Sequence, residues 1–530
     1  MLMKNRHLLY FGILFLLASG VVWALNNTTR SIDVKQSSLM QQKPVPPNVI
    51  SKTTVASTTS SIVNLKDGDT YTLTAEKTEE KVGNQTIDAL TYNGIFPGPM
   101  IRVPQGATIH LTLVNKLDEE TTLHPHGIRT ENASDGVPDV TQKPIEPGGS
   151  FTYTLHFPDA GVYWYHPHMH EAEQQDLGMY GNFIVVPTSA DYWSPVNREE
   201  SLIVDDILLS RNGVIPYGAG SSNYGLMGRY GNTMLVNGQT NYKLDAKKGE
   251  VVRFYITNVA NARPFNLAFQ GVKMKLVGAD NGKYEKEQWT DHVIIAPSER
   301  AIVEVLFDQS GSFKLVNDTP TMVSNLATVN VSDEVVSKSY TQQFDILRTN
   351  QDVIASIDPF RSSFSKQPDK IISLNSKMMG NMMGGGMGMG MGMDTTAQDG
   401  IEWDDTMQMM NAGMTAKNAR WTITDDQTGE TNDRIQWSFN KGDIVKIQIK
   451  NPATGMHPMQ HPIHFHGQRF LVLDVNGVPT DDLVWKDTVL VPAGRTVDIL
   501  VDMSNPGMWM AHCHISEHLE SGMMLKYTVK

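Results

Sequence analysis

The chain has 530 residues, a formal net charge of −13, a single cysteine and 29 methionines. This length exceeds what one hydrophobic core usually supports, so two or three domains are expected. The negative charge argues against nucleic acid or an anionic membrane surface as a partner, and a lone cysteine excludes an internal disulfide.

The first 25 residues are predicted to be an export signal. Lys4 and Arg6 precede an almost unbroken apolar run over residues 8–25. This run is also nearly long enough to span a bilayer, so an uncleaved N-terminal anchor is the alternative. Residues 26–60 are rich in Ser, Thr, Asn, Gln and Pro and are predicted to be a flexible linker. No twin-arginine pair precedes the run, which favours general secretion to the periplasm, the cell envelope or the medium.

From about residue 61 the sequence has the short alternating runs and turn residues that are typical of β-strands. One signature occurs three times: a Gly, then alternating Ile, Val, Leu or Phe, then an Asn nine residues after the Gly. Each copy predicts a turn, a half-buried strand and a second turn. The copies span residues 106–115, 249–258 and 442–451. A second signature, which begins with Pro and includes a Gly ahead of its last residues, follows each copy.

The repeats predict an all-β fold of three related β-sandwich domains. We assign the domains to residues 61–190, 191–347 and 348–530. The second signature ends in a His-X-His pair in the first and third domains, whereas the middle domain has Val316 and Asp318 at these positions. The middle domain is therefore predicted to lack metal ligands and to act as a spacer that lets the outer domains meet.

Four short segments contain ten of the sixteen histidines. They are His124-Pro-His126, His166-Pro-His168, His461-Pro-Ile-His464-Phe-His466, and His512-Cys513-His514 with His518. Residues i and i+2 of a strand point to the same face, so each His-X-His presents two imidazoles side by side, as a metal cluster requires. In the last segment Cys513 points away from its two neighbours, so one tripeptide can contact two metal centres.

Cys513 also belongs to a second set of possible ligands. With His461, His518 and Met523 it combines a thiolate, two imidazoles and a thioether. This is the ligand chemistry of a blue-copper electron-transfer site. Zinc is the alternative metal, but one Cys among ten His with a Met in register fits copper better.

The four histidine segments resemble the four copper signatures of the multicopper oxidases, the family of laccases, ascorbate oxidase and bacterial cuprous oxidases. The resemblance covers roughly residues 60–530. It implies three cupredoxin-like Greek-key β-sandwich domains and four copper ions per chain, of which one is type 1, one is type 2 and two are type 3. It also implies one-electron oxidation of a substrate coupled to reduction of O2 to water.

The resemblance further implies a role for each ligand. The type 1 copper would be held by His461, Cys513, His518 and Met523. The type 2 copper would be held by His124 and His464, and the type 3 pair by His126, His166, His168, His466, His512 and His514. Electrons would pass from Cys513 through the backbone to the two adjacent histidines.

Reduction of O2 to water needs protons, so carboxylates are expected near the cluster. Asp135, nine residues after His126, resembles the family's acid, and the alternative is a turn residue, since Ser-Asp-Gly is turn chemistry. Many members carry an acid directly after the second type 1 histidine, where this chain has Leu519. Glu517 and Glu520 flank this position and are the candidates at that end.

Residues 378–414 are rich in Met and Gly and interrupt the third domain. Thioethers prefer Cu(I) over hard cations, so we expect the segment to gather cuprous ions. A low-complexity loop without a ligand is the alternative. Met456 and Met459 precede His461, and Met459 stands where cuprous oxidases carry a substrate-copper methionine. A Cu(I) ion bound there could pass its electron through His461.

Three functions remain open at this point. The first is a cuprous oxidase that lowers copper toxicity, the second a laccase-like oxidase of phenols or aromatic amines, and the third a copper-sequestering resistance protein. The expected partners are O2 and either Cu(I) or a small reducing substrate. A membrane is expected to be a partner only through the possible N-terminal anchor.

Overall fold

The fold is known for most of the chain after residue 60. The computed structural model describes residues 61–218, 222–378, 399–454 and 457–530. The predicted signal and linker, Met456 and residues 379–398 of the methionine-rich segment lie outside these ranges. The described residues form three successive pairs of β-sheets, so the all-β prediction is confirmed. Within the described ranges no helix is long and apolar enough to cross a membrane.

The first pair of sheets contains nine strands. They are β1 (Ile62–Asn64), β2 (Thr70–Val82), β3 (Gln85–Tyr92), β4 (Met100–Pro104), β5 (Thr108–Asn115), β6 (His124–His126), β7 (Ser150–His156), β8 (Gly161–His166) and β9 (Gly181–Val186). One sheet has the order β1-β4-β9-β8-β6 and the other β3-β2-β5-β7. Buried and partly exposed side chains alternate along the whole of β5, as predicted for a half-buried strand. Leu111, Tyr153 and Phe183 belong to the apolar core of this pair.

The second pair of sheets contains most of the next thirteen strands. They are β10 (Arg198–Ile207), β11 (Leu209–Ser210), β12 (Gly213–Val214), β13 (Thr233–Val236), β14 (Tyr242–Lys248), β15 (Glu250–Asn258), β16 (Phe265–Phe269), β17 (Met274–Ala279), β18 (Gly282–Thr290), β19 (Val293–Ile295), β20 (Arg300–Phe307), β21 (Gly311–Asp318) and β22 (Val323–Val335). The orders are β13-β10-β15-β20-β17-β18 and β14-β22-β21-β16-β19, and β11 pairs only with β12.

The prediction of a half-buried strand is wrong for β15, whose residues are all buried. The strand lies inside its sheet between β10 and β20. One face contributes Phe254 to the core of the second pair of sheets. On the other face Tyr255 packs in an apolar cluster with Val162 and Ile184 of the first pair. The second pair therefore buries an outer face against the first, which no alternation pattern within one domain reveals.

The third pair of sheets contains the last eleven strands. They are β23 (Lys370–Met378), β24 (Ala419–Asp425), β25 (Gln436–Phe439), β26 (Asp443–Asn451), β27 (His461–Phe465), β28 (Arg469–Val475), β29 (Val478–Pro479), β30 (Thr488–Val491), β31 (Arg495–Met503), β32 (Gly507–Cys513) and β33 (Met524–Val529). The orders are β24-β23-β26-β31-β28-β29 and β25-β33-β32-β27-β30. Trp421, Met459, Cys513 and Met523 all belong to the core of this pair.

Short helices connect the strands. The α-helices are α1 (Glu171–Gln174), α2 (Thr341–Phe344), α3 (Gln351–Ile357), α4 (Gln408–Ala412) and α5 (Ser516–Glu520), and the 3-10 helices span Asn132–Ser134, Asp358–Ser363 and Asn432–Arg434. Two of them matter for the site: α1 follows the histidines of β8, and α5 follows those of β32.

The asparagine that ends each copy of the first signature has the same structural role in all three pairs of sheets. Its buried Nδ2 donates to two carbonyl oxygens in later loops or strands. Asn115 bonds Glu119 and Ile145, Asn258 bonds Arg263 and Ile295, and Asn451 bonds Met459 and Val491, all at 2.7–2.9 Å. The repeated asparagine therefore fixes the start of the loop that leads to β6, β16 or β27.

Candidate metal centres

Two antiparallel strand pairs place the histidine segments opposite each other. In the first pair of sheets β6 pairs with β8, and His124 lies opposite His166. In the third, β27 pairs with β32, and His464 lies opposite His512. Within each His-X-His the two ring centroids are 4.7–6.3 Å apart. Both imidazoles of each pair are therefore on the same side of the backbone, as predicted from strand periodicity.

Eight imidazoles from the first and third pairs of sheets form one buried cluster. The ring of His126 stacks on that of His464, with centroids 3.8 Å apart, and the centroids of His124 and His466 are 4.1 Å apart. His166, His168, His512 and His514 complete the cluster. Several groups of three have their donor atoms within 4.8 Å of one another, as a metal ion requires. The structure thus brings together all eight histidines that were expected to hold the type 2 and type 3 coppers.

Most of these histidines use one ring nitrogen for a hydrogen bond to an oxygen atom, which leaves the other nitrogen available to a metal ion. In six of them Nδ1 lies 2.7–3.0 Å from an oxygen atom. The pairs are His124 with Asp135 O, His166 with Pro167 O, His168 with Glu171 Oε1, His464 with Asp487 O, His466 with Asp135 Oδ2, and His512 with Cys513 O. Buried Nε2 atoms of His124, His166, His168 and His464 have no hydrogen-bond partner among the described residues.

Several of these rings have lowered pKa values, as metal ligands require. Burial lowers the pKa of His126, His464 and His514 well below 6.5, and that of His512 to about 4. Neutral imidazoles have a lone pair to give to a metal ion. Buried nitrogens without a partner are costly unless a ligand satisfies them. The residues present therefore fit a cluster of copper ions.

A second centre lies around the only cysteine. Cys513 Sγ is 3.5 Å from His461 Nδ1 and 3.7 Å from His518 Nδ1, and all three side chains are buried. Met523 is fully buried in the same core, and its carbonyl oxygen accepts from Cys513 N. Burial raises the pKa of the Cys513 thiol, so the thiolate needs a cation beside it. The predicted type 1 ligands are thus brought together.

Trp421 is a residue of this second centre that the sequence reasoning missed. Its ring stacks on that of His518 with centroids 4.1 Å apart and meets the ring of His461 at 4.8 Å. Its Nε1 donates to Gly225 O, in the loop between β12 and β13. An apolar ring over two imidazoles keeps water from the site. No sequence signal pointed to it, because a tryptophan in a strand is ordinary core material.

The carboxylate of Asp135 lies against the large cluster. It is buried, with Oδ2 3.0 Å from His466 Nδ1 and Oδ1 3.4 Å from His124 Nδ1. Burial alone would raise the pKa of Asp135, but the neighbouring imidazoles outweigh it and hold the pKa below its usual range. The residue therefore touches two predicted ligands, and its catalytic role remains a prediction.

Glu517 and Glu520, the other two predicted acids, do not touch the cluster in the contacts of the described residues. Glu517 is buried in α5, with Oε1 3.5 Å from Asn261 Nδ2, and burial raises its pKa to about 8. Glu520 lines a cavity of about 320 Å³ together with His168 and Glu171. Proton transfer by either glutamate remains a prediction.

Glu171 is a carboxylate that the sequence reasoning missed. It begins α1, three residues after His168, and its Oε1 lies 2.9 Å from His168 Nδ1. Burial would raise the pKa of Glu171, but His168 outweighs this and lowers the pKa to about 2. The available signal was an acid three residues after a histidine, a separation at which two side chains can meet where the chain turns into a helix.

Comparison with known proteins identifies the family. Three family models, all described as multicopper oxidase, match residues 74–190, 164–337 and 403–530. The chain belongs to the multicopper oxidase family. A multicopper oxidase of Staphylococcus aureus is 29% identical over 465 residues, which cover 86% of this chain and 87% of that protein. A multicopper oxidase of Mycobacterium tuberculosis is 27% identical over 498 residues and covers 86% of each chain.

A solved structure agrees with this assignment. The multicopper oxidase of Campylobacter jejuni, described as a metallo-oxidase, has 26% identity and a TM-score of 0.69, and the match covers 92% of this chain and 98% of that one. The multicopper oxidase described here is thus an oxidoreductase that binds copper and transfers electrons from a reducing substrate to O2. The predictions of a cupredoxin-like fold and of copper as the metal are confirmed.

We expect Cys513→Ser to abolish the blue colour and all substrate oxidation, because a hydroxyl cannot replace a thiolate as a soft copper ligand. Visible absorption and O2 uptake measure the two losses. Far-UV circular dichroism is the control and should stay unchanged. Oxidation that survives the substitution would place the electron-accepting site elsewhere.

We expect Glu171→Gln to slow reoxidation of the reduced enzyme by O2 by about 100-fold, the lower range for a lost proton-transfer group. Reduction of the type 1 centre should stay at its normal rate, because Glu171 contacts His168 and not the cysteine site. Stopped-flow absorption separates the two half-reactions.

Glu173→Gln is the matched control, since Glu173 lies on the same helix and is only partly buried. Identical reoxidation rates in the two variants would contradict a role for Glu171.

Proposed function

We propose that this multicopper oxidase oxidises Cu(I) to Cu(II) outside the cytoplasm and thereby contributes to copper tolerance. Four Cu(I) ions lose one electron each, and O2 takes up four electrons and four protons to give two water molecules. The bound coppers supply the one-electron steps of this chemistry. Protein residues hold the substrate ion, orient the imidazoles and bring protons to the large cluster.

The observation that carries this proposal is a soft donor beside the type 1 ligands. Met459 precedes His461 by two residues, is fully buried and belongs to the same core as Cys513. Its carbonyl oxygen accepts from Asn451 Nδ2 at 2.7 Å, which fixes the backbone at this point. A thioether favours Cu(I) over harder cations, so Met459 suits a cuprous substrate better than a phenol.

His457 adds a second donor that the sequence reasoning left without a role. Its side chain is 5% exposed, and its Nε2 has no hydrogen-bond partner among the described residues. Burial lowers the pKa of His457, so the ring is a neutral ligand. His457 lies four residues before His461, and a charge on its ring would lower the pKa of His461. We therefore propose His457 and Met459 together as ligands of the substrate ion.

The described part of the methionine-rich segment is anchored to the fold. Asn411 of α4 is buried, and its Oδ1 accepts from the backbone N–H groups of Leu226 and Met227 in the second domain. Met409, in contrast, is 95% exposed. The segment thus presents a thioether to solvent from a fixed base, which supports capture of Cu(I) ahead of the buried site.

The remaining parts of the proposal rest on sequence and on the acids of the cluster. Export by general secretion rests on the predicted signal of residues 1–25. Proton delivery is assigned to Asp135 and Glu171, the carboxylates that contact His466 and His168. The metallo-oxidase from Campylobacter jejuni supports a metal substrate by similarity.

Oxygen uptake by the copper-loaded enzyme tests the substrate. We expect faster uptake with Cu(I) than with a phenol, and we expect replacement of the seven methionines of residues 379–398 by Leu to slow only the Cu(I) reaction. This variant keeps residues 399–414, whose loss would remove Asn411 and Met414 from the core. Faster uptake with the phenol would indicate a laccase-like oxidase instead. Binding of extra copper without turnover would indicate a copper-sequestering protein.

We expect Met459→Leu to raise the KM for Cu(I) at least tenfold and to leave phenol oxidation within twofold, since the substitution removes a soft ligand but conserves volume. Met503→Leu is the matched control, because Met503 is also fully buried in the same core. Steady-state oxygen uptake measures both variants. Equal losses on both substrates would mean that Met459 only packs the core.

A further inference from the structure

One histidine of the large cluster is held by the opposite ring nitrogen from its neighbours. His126 Nε2 lies 3.1 Å from Asp487 Oδ1 and 3.1 Å from Thr488 Oγ1. Its Nδ1 is buried and has no hydrogen-bond partner among the described residues. Six other histidines of the cluster instead turn Nδ1 to an oxygen atom. His126 therefore needs a hydrogen-bond acceptor at Nε2 that keeps its proton on this nitrogen.

The partner of His126 is fixed by an arginine from the middle domain. Arg300 Nη1 donates to Asp487 Oδ1 at 2.6 Å, and Nη2 donates to Oδ2 at 2.5 Å. Both side chains are fully buried. A bidentate guanidinium fixes the plane as well as the position of a carboxylate. The oxygen that faces His126 is therefore held in one place.

Arg300 is itself fixed by all three domains. Its Nε donates to Val162 O of the first domain at 3.0 Å, and its Nη1 also donates to Ser298 O of its own domain at 3.0 Å. Its backbone N–H donates to Asp280 Oδ1 at 2.8 Å. With Asp487 of the third domain, these contacts place the guanidinium where the domains meet.

The glycine that follows His126 makes room for this pair. A Cβ at Gly127 would lie 2.2 Å from Asp487 Oδ2 and 2.8 Å from Arg300 Nη2. Its φ of +81° also favours glycine. Asn281 of the middle domain donates to Gly127 O at 3.2 Å. The backbone beside His126 is thus shaped around the ion pair of Arg300 and Asp487.

We propose that Arg300 is a positioning residue of the copper cluster. It holds Asp487 so that Oδ1 accepts the Nε2–H of His126, and this leaves Nδ1 of His126 to bind copper. The middle domain, expected from its sequence to be a spacer, thereby sets the donor atom of a ligand in the first domain through a carboxylate of the third.

Arg300→Lys tests this role, because an ammonium keeps the charge and loses the bidentate geometry. We expect copper affinity at the large cluster to fall by roughly 10–100-fold, as for other partners of metal-bound histidines. The blue type 1 centre should remain. In the copper-free protein, 15N NMR of labelled imidazoles should show His126 changing from a single Nε2–H tautomer to a mixture.

Arg263→Lys is the matched control. Arg263 is another buried arginine of the middle domain that pairs with an aspartate, Asp206, and reaches the third domain at Trp403 O. Its hydrogen bonds and ion pairs include none of the histidines. Copper content, the spectrum of the type 2 copper in electron paramagnetic resonance and the His126 tautomer should all stay normal in this variant. Equal changes in both variants would mean that Arg300 only packs the domains together and does not position His126.

If Arg300→Lys does not fold, a double variant provides a second test of the proposal. Arg300→Met with Asp487→Leu replaces a buried ion pair by apolar residues, which proteins often tolerate. We expect this protein to fold and turn blue, with copper missing from the large cluster and with mixed tautomers at His126. A full set of four coppers per chain and a single Nε2–H tautomer would overturn the proposal.

Discussion

The architecture depends on one requirement: eight imidazoles must be buried together, and each must keep a nitrogen for a metal ion. Burial lowers the pKa of rings such as His126 and His464, so no protons compete for the lone pairs. Orientation is then the remaining problem, since either nitrogen of a free ring can face inward. Backbone carbonyls and buried carboxylates fix the orientation of these rings. Their oxygen atoms contact the ring nitrogen that is not needed for the metal.

Much of this could be predicted from local sequence. Strand periodicity placed both rings of each His-X-His on one side, and it placed Cys513 on the other side from its neighbours. The repeated asparagines marked equivalent strands. Contacts between distant segments could not be predicted in this way. Asp487 reaches His126 across 361 positions, and the burial of both faces of β15 depends on the first domain. Periodicity describes one element and does not identify its partners.

The middle domain illustrates the difference. Its sequence lacks the histidines of its two relatives, and the repeat alone therefore suggests a passive role. Its outer face instead packs against the first domain, and Arg300 and Asn281 extend from it to the junction. The middle domain thus contributes contacts to both metal-binding domains, although its own sequence has no metal ligands at the repeated positions.

The segment before His461 is held by the frame, and it includes His457 and Met459, the two proposed ligands of the substrate ion. Asn451 bonds the carbonyl of Met459, and β27 then pairs with β30 and β32. The strand pairs that position His461 and His464 therefore begin only after this segment. A substitution in this segment can therefore alter the surroundings of His461 and leave intact the strand pair that sets His464 opposite His512.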